Sequence, residues 1–374
     1  MSSLQKQSLQ AWAFGWAAAL ANRLQRLPNR LAPPPFRLIQ IGSAFWQSRA
    51  LHAAAELDIA TLLGEQTLAI DTLAERAGAQ ADGLQRLLRF LAAIGIFELV
   101  APGQVRNNRL SQPLRRDRPG SVRSMVLMHN SPAMSRPWYE SLSASLRDGS
   151  VPFERCHGQS LYSHMDAKPE MAALFARAMD EVEALSGDSF ATAFDWSRFR
   201  RLIDVGGSRG AKSAAILRRH PQLQALVIDR PVVVQQARDW WAAQPGSSCR
   251  ERLQFEPGDL LSGPLPGARD AGDVYLLSAV LHGLDDGGAE ALLRRLAHAV
   301  GSSGATVVLM ELLMPEQGGD ISACSFDMQM LMGTRGRIRT PSQWRSLLAR
   351  AGMQWQQTVQ LASFAQMLVL RPQA

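Results

Sequence analysis

The sequence predicts an α/β protein, a doubly wound parallel sheet behind a mostly helical N-terminal region. Three observations carry this. From Arg200 onward, short apolar runs alternate with helix-like segments, the pattern of strands joined by helical crossovers. Residues 202–210, L-I-D-V-G-G-S-R-G, end an apolar run in an acid and a glycine cluster, and the helix-like segment 211–219 follows. Strand, tight glycine turn and helix in that order build a nucleotide pocket at the carboxyl edge of a parallel sheet. Residues 36–116, by contrast, read as short helices followed by two short strands.

Bulk properties set the frame. At 374 residues with 46% hydrophobic content, the chain can hold two domains with real cores. A charged fraction of 20% argues against disorder. The net charge of +7 is almost all arginine, with lysine only at positions 6, 168 and 212. The arginines are scattered in pairs such as Arg115 and Arg116, Arg200 and Arg201, Arg218 and Arg219, and Arg294 and Arg295. A nucleic-acid binder concentrates such charge in one stripe, so this one reads as solvated surface with a modest attraction to anionic partners. Cys156, Cys249 and Cys324 are odd in number and far apart, which suggests neither a disulfide framework nor a zinc site and fits a reducing cytoplasm. The seven histidines show no metal-ligand spacing, so no metal is expected.

Taken in order, residues 1–35 form a helical arm with a turn at Pro28 and Asn29 and an end at the prolines 33–35. Within it, residues 11–21 are an apolar run too short to span a bilayer. The run resembles a signal-peptide core, but it sits inside a longer amphipathic pattern through Leu24 and Leu27. That pattern favours an arm that packs on a partner subunit or touches a membrane surface. Residues 36–116 give helices at 60–63, 70–77 and 82–94, then strands at 97–100 and 105–110. Helix, turn, helix and hairpin make a winged helix, with Leu84, Leu87, Leu88 and Leu91 on one face of its second helix and Arg86 and Arg89 off it. Such a unit can lay its second helix in a DNA groove, or serve packing and dimerisation. Residues 117–196 are helical and rich in large apolar residues. Met171, Phe175 and Met179 stand at i, i+4 and i+8 and share one helix face. That stripe suits a core, or a pocket wall, since ligand pockets are also lined by apolar side chains. In residues 197–374 the expected strands are 202–205, 225–228, 253–256, 273–281, 305–310 and 367–370, with the clearest helix at 289–300.

Four polar residues fall at strand ends, where a ligand lies in such a sheet. Asp229 closes the second strand about twenty residues after the glycines, where an acid can accept from both ribose hydroxyls; a turn cap is its other reading. Asp259, in P-G-D, could accept from an adenine amine or belong to a turn. His282, in S-A-V-L-H-G-L-D-D, ends the fourth strand, and imidazole is the side-chain base suited to neutral pH. Glu311 ends the fifth strand after V-V-L-M, where a carboxylate needs a partner. His282 on the neighbouring strand can supply it and have its tautomer fixed in return. There is no nucleophilic serine elbow and no Walker lysine.

From about Pro34 to the C-terminus the chain resembles the S-adenosylmethionine-dependent O-methyltransferases of the caffeic acid and acetylserotonin type and their bacterial relatives. The motifs, in order, are T-L-A-E-R-A-G, L-Q-R-L-L-R-F-L-A-A-I-G-I-F, P-E-M-A-A-L-F-A-R-A-M, D-V-G-G-S-R-G, V-I-D-R-P, P-G-D-L-L, V-L-H-G-L-D-D and T-P-S-Q-W-R-S-L-L-A-R-A-G. The resemblance implies a Rossmann-like methyltransferase sheet with an N-terminal, mostly helical winged-helix dimerisation domain. It implies S-adenosyl-L-methionine as cofactor, a homodimer, and no nucleic-acid partner. It places Gly206, Gly207 and Gly210 on the methionine part of the cofactor, Asp229 on the ribose, and Asp259 with Leu260 on the adenine. Asp204 and Ser278 complete the cofactor set. His282 becomes the base that takes the hydroxyl proton, Glu311 steers it, and Met128, His129, Met171, Phe175, Met179 and Met330 form the substrate wall.

The chain also departs from the family pattern. Ser208 stands at the third glycine, followed by Arg209; His282, Gly283 and Leu284 replace H-D-W; Ile338 in G-R-I-R-T replaces a glutamate; and Ser278 replaces a residue that is often lysine. The expected function is O-methylation of a bulky, mostly apolar, hydroxylated aromatic or polyketide-type small molecule. The alternative is a cofactor-binding winged-helix regulatory or DNA-binding protein without catalysis. His282 and Glu311 speak against that alternative, Ser208 and Ile338 for it.

Overall fold

The computed structural model describes residues 3–244, 246 and 248–373. They form two compact units, residues 24–185 and residues 1–23 with 186–374.

In the first unit, Ile70–Ala77 and Ala81–Ala93 are the paired helices the sequence predicts. Gly78 ends the first of them at φ 62°, where a side chain would be strained. The wing has three strands: β1 (Thr67–Ala69), β2 (Phe97–Ala101) and β3 (Gln104–Asn107), antiparallel in the order β1-β3-β2. β3 stops at Asn107, short of the expected 110, because the Asn107 amide turns to donate to the carbonyls of Ala60 and Gly64. Leu84, Leu88 and Leu91 are buried against Ile59, Leu63 and Leu73, while Arg86 and Arg89 point to solvent. Short helices from Arg123–His129 onward and the 18-residue helix Pro169–Ser186 follow.

The second unit is built on a seven-stranded sheet. Its strands are β4 (Arg201–Val205), β5 (Gln224–Asp229), β6 (Leu253–Pro257), β7 (Asp273–Ser278), β8 (Thr306–Leu312), β9 (Met353–Gln360) and β10 (Ala365–Pro372). The order is β6-β5-β4-β7-β8-β10-β9; the first five run parallel, and β10 is antiparallel to both β8 and β9. Both sheet faces are apolar, as a sheet covered on both sides requires. Leu202, Val227, Leu276 and Val308 face the helices Ala211–Arg219 and Pro231–Ala242. Ile203, Tyr275, Val307 and Leu309 face Asp286–Val300 and Pro341–Arg350.

The sequence reading needs three corrections here. β7 ends at Ser278 rather than 281, because Ala279 takes φ 58° and breaks the strand. His282 therefore stands on the short 3-10 turn Leu281–Gly283, not at a strand end. β9 was missed, since M-Q-W-Q-Q-T-V-Q has too few apolar residues to signal a strand and forms the sheet edge. In the arm, Pro28 and Pro34 open helices, Pro28–Leu31 and Pro34–Gly42, rather than ending them, the role proline fills at a first helical position. The arm's long helix is Ser3–Gln25. Among the described residues no helix is long and apolar enough to cross a membrane.

Candidate active site

β4 pairs with both β5 and β7, so the direction of strand addition reverses there, and the crevice above the carboxyl ends of β4 and β7 is the expected ligand position. The glycine turn occupies that place. Gly206 has φ 78°, and a Cβ on it would stand 2.7 Å from Val280 Cγ2 and 3.1 Å from Leu260 Cδ1. A Cβ on Gly207 would meet the Asp204 carboxyl at 2.5 Å. Asp204 is buried below the turn, where it accepts from Ser213 Oγ at 2.6 Å. Gly210 opens the helix Ala211–Arg219 at φ 72°. The turn is thus packed on its protein side, and only glycine leaves the backbone room for a ligand.

Ser208 adopts φ 52°, the left-handed region that disfavours a side chain. Its N–H donates to Asp229 Oδ2 at 2.8 Å, while Arg230 N–H donates to Oδ1 at 2.8 Å. Each Asp229 oxygen keeps further acceptor capacity for a diol. Burial pushes the Asp229 carboxyl above the usual aspartate range, against the pull of the Arg230 and Ser208 N–H groups. In the ligand-free protein the folded state then holds this proton more tightly than the unfolded one. The contribution of Asp229 to stability therefore falls as pH rises through its titration, and a ligand donating to the carboxylate offsets that cost.

Asp259 is exposed, accepting from Ser262 Oγ and from Leu261 N–H at 2.8 Å, which hold it below the usual range. The turn reading describes its geometry, yet it precedes Leu260, whose side chain touches the glycine turn. Ser278 is the last residue of β7, half-buried opposite Met310.

The second cluster surrounds His282. Glu311 is 1% exposed; its Oε2 lies 2.7 Å from His282 Nδ1, and its Oε1 accepts from Leu281 N–H at 3.0 Å. A carboxylate only accepts, so the pair puts the ring proton on Nδ1 and leaves the lone pair on Nε2. Phe326 meets the imidazole edge-on, centroids 5.1 Å apart. Two further residues hold the turn. Arg339, fully buried, donates to the carbonyls of Leu281 at 2.8 Å and Leu284 at 2.9 Å, pairs with Asp286 at 2.8 Å, and lies over the Trp344 ring. A Cβ on Gly336 would fall 1.9 Å from the His282 carbonyl oxygen.

Sequence reasoning did not find Arg339, Gly336 or Phe326. Only Phe326 had a readable signal, its i, i+4 spacing from Met330 on the helix Ile321–Gly333. Met330 is half-buried one turn from Phe326. Of the remaining predicted wall, Met128 is buried at the end of Arg123–His129 and His129 is exposed. Met171, Phe175 and Met179 run from buried to exposed along Pro169–Ser186. All five lie in the other unit. Among the described residues no group of His, Cys, Asp or Glu could hold a metal ion.

Fold and pocket together define a class, the S-adenosylmethionine-dependent methyltransferases, and the glycine cradle with a carboxylate at the end of β5 fits that cofactor. Residues 138–354 match the family model of the O-methyltransferase domain, and residues 39–116 that of the O-methyltransferase dimerisation domain. The phenazine O-methyltransferase PhzM of Lysobacter antibioticus is 30% identical over 346 residues, 92% of this chain and 98% of that protein. The phenazine-1-carboxylate N-methyltransferase of Pseudomonas aeruginosa is 30% identical over 335 residues, 89% of this chain and 96% of that one. The crystal structure of human N-acetylserotonin methyltransferase in complex with S-adenosylmethionine superposes with a TM-score of 0.80 at 28% identity, covering 92% of this chain and 99% of that one. The chain belongs to this O-methyltransferase family, whose cofactor is S-adenosylmethionine.

Two outcomes are expected from this geometry. Gly206→Ala should lose about 2–4 kcal/mol through its positive φ and the clash with Val280, while Ser208→Gly should stay within about 1 kcal/mol of the parent. Thermal denaturation checks both, and an undisturbed Gly206→Ala would contradict the packing described. Arg339→Lys should cost about 1–3 kcal/mol in urea unfolding, since one ammonium cannot serve both carbonyls and Asp286.

Proposed function

We propose that the enzyme transfers a methyl group to a hydroxyl of a bulky, mostly apolar aromatic or polyketide-type small molecule, with His282 as general base. The observation that supports this best is the buried pair of His282 and Glu311. The bound cofactor supplies a methyl group already made electrophilic by its sulfonium. What the protein adds is a base that turns the acceptor's hydroxyl into a nucleophile. A phenol is mostly protonated at neutral pH, so its oxygen needs a base within hydrogen-bond reach. His282 Nε2 takes the hydroxyl proton, and Glu311 orients the ring through Nδ1 and balances the charge that develops on it. Asp204, Gly206, Gly207, Gly210, Ser278, Asp229 and Asp259 with Leu260 hold the cofactor, Asp229 by accepting from the ribose hydroxyls.

In this reading residues 36–116 form the homodimerisation domain, residues 117–196 line the acceptor pocket, and residues 197–374 carry the cofactor. Met128, His129, Met171, Phe175 and Met179 make the wall, and methionine suits an irregular acceptor. The few, widely spaced cysteines support a reducing cytoplasm for this enzyme. A second reading follows from the N-methyltransferase among the relatives: a nitrogen with its lone pair available needs no base. The ordered imidazole favours the hydroxyl.

Two measurements test the assignment. Asp229→Ala should weaken binding of S-adenosylmethionine or S-adenosylhomocysteine at least about tenfold in calorimetry, through loss of charge-assisted hydrogen bonds. Absence of binding by the parent protein would end the reading. In a screen of phenols for S-adenosylhomocysteine release, His282→Ala should lower kcat by about a hundredfold or more with cofactor affinity near that of the parent. Unchanged turnover would remove His282 as the base.

A further inference from the structure

The arm helix Ser3–Gln25 lies outside both family matches, yet one of its faces is docked. From residue 9 to residue 23 only Ala11, Phe14, Ala18 and Asn22 are not exposed. At about 100° per residue these four fall within an arc of about 80°, a single stripe along the helix. The stripe meets the sheet-bearing unit, to which residues 1–23 belong, at two places. Phe14 packs edge-on against Phe364, centroids 5.2 Å apart, in the turn between β9 and β10. Two turns further on, the Asn22 amide donates to Asp320 Oδ2.

Asp320 connects this contact to the site. It caps the helix Ile321–Gly333, its Oδ1 accepting from Ala323 N–H at 2.9 Å. The arm therefore occupies the second oxygen of a carboxylate whose first oxygen holds the helix start. That end of the helix has little else to fix it. Of its first five residues only Ala323 is buried, whereas Met332 and Gly333 anchor the far end. Phe326, edge-on to the His282 ring, stands in the second turn. An α-helical N–H reaches back four residues, here to position 322, so fraying of the first turn removes the support of Phe326.

We propose that Asn22 is a positioning residue: through it the arm braces the capped start of Ile321–Gly333 and keeps Phe326 against the His282 ring. The inference rests on the proposed role of His282, and its test separates the two. Asn22→Asp keeps the size of the side chain and sets two carboxylates against each other. Hydrogen exchange followed by mass spectrometry should then run about fivefold or more faster across 321–333, with β4 and β7 unchanged. In the phenol screen kcat should fall about threefold or more, while S-adenosylhomocysteine binding stays within about twofold of the parent. Adding Asp320→Asn restores one donor and one acceptor to the pair and still caps the helix, so the double variant should recover both readouts. A general loss of stability would not be repaired by exchanging the two groups. Unchanged exchange across 321–333 in Asn22→Asp overturns the proposal. So does faster exchange with parental kcat, or a double variant as impaired as the single one. Failure of the base itself is read elsewhere, in unchanged turnover by His282→Ala.

Discussion

Glu311 lies at the end of an apolar strand with almost no solvent, a position a carboxylate tolerates only when its oxygens are held. Much of the local architecture follows from meeting that requirement. One oxygen takes the Leu281 backbone N–H and the other faces the His282 ring, so the same carboxylate fixes the backbone and the side chain of a single turn. The turn's carbonyls then need donors of their own, and Arg339 supplies them from below, anchored by Asp286 and Trp344. Gly336 lets its strand of chain pass against the His282 carbonyl, where no side chain fits. The imidazole and the turn that carries it are thus held from three directions.

The doubly wound sheet was legible because its central strands are continuous apolar runs, such as L-I-D-V and V-Y-L-L-S, that show through without any alternation. The sheet edge was not, since β9 packs few of its side chains and reads as a glutamine-rich loop. His282 was recognisable as chemistry but misplaced as structure. A strand that continued past Ser278 would carry it along the sheet, whereas the left-handed Ala279 turns the chain into the 3-10 turn that meets Glu311. Arg339 stayed invisible for a different reason. In a sequence an arginine reads as surface, and only the fold shows that its guanidinium replaces solvent for two carbonyls.

The cofactor side follows the same pattern. Gly206 and Gly207 announce a close approach, and the packing explains why: Val280 and Leu260 fill the space behind one, and the Asp204 carboxyl the space behind the other. Ser208 stands where the family pattern has a third glycine. It keeps a glycine's backbone conformation, and its N–H is committed to Asp229. The strain of a left-handed serine is offset in part by a hydrogen bond that ties the glycine turn to the carboxylate of Asp229.

Ile338 is the departure with the larger chemical meaning. The family pattern that the sequence resembles has a glutamate at this position; here the side chain is buried and apolar while its N–H donates to Asp327 at 2.7 Å. An aliphatic residue cannot orient an imidazole, so among the described residues the carboxylate on the ring is that of Glu311. With one carboxylate instead of two, the ring depends more on the rigidity of its own backbone. The residues next to Ile338 in sequence provide that rigidity, Arg339 by bonding the turn and Gly336 by closing against it. The segment around Ile338 therefore fixes the histidine's turn through the main chain rather than through the ring.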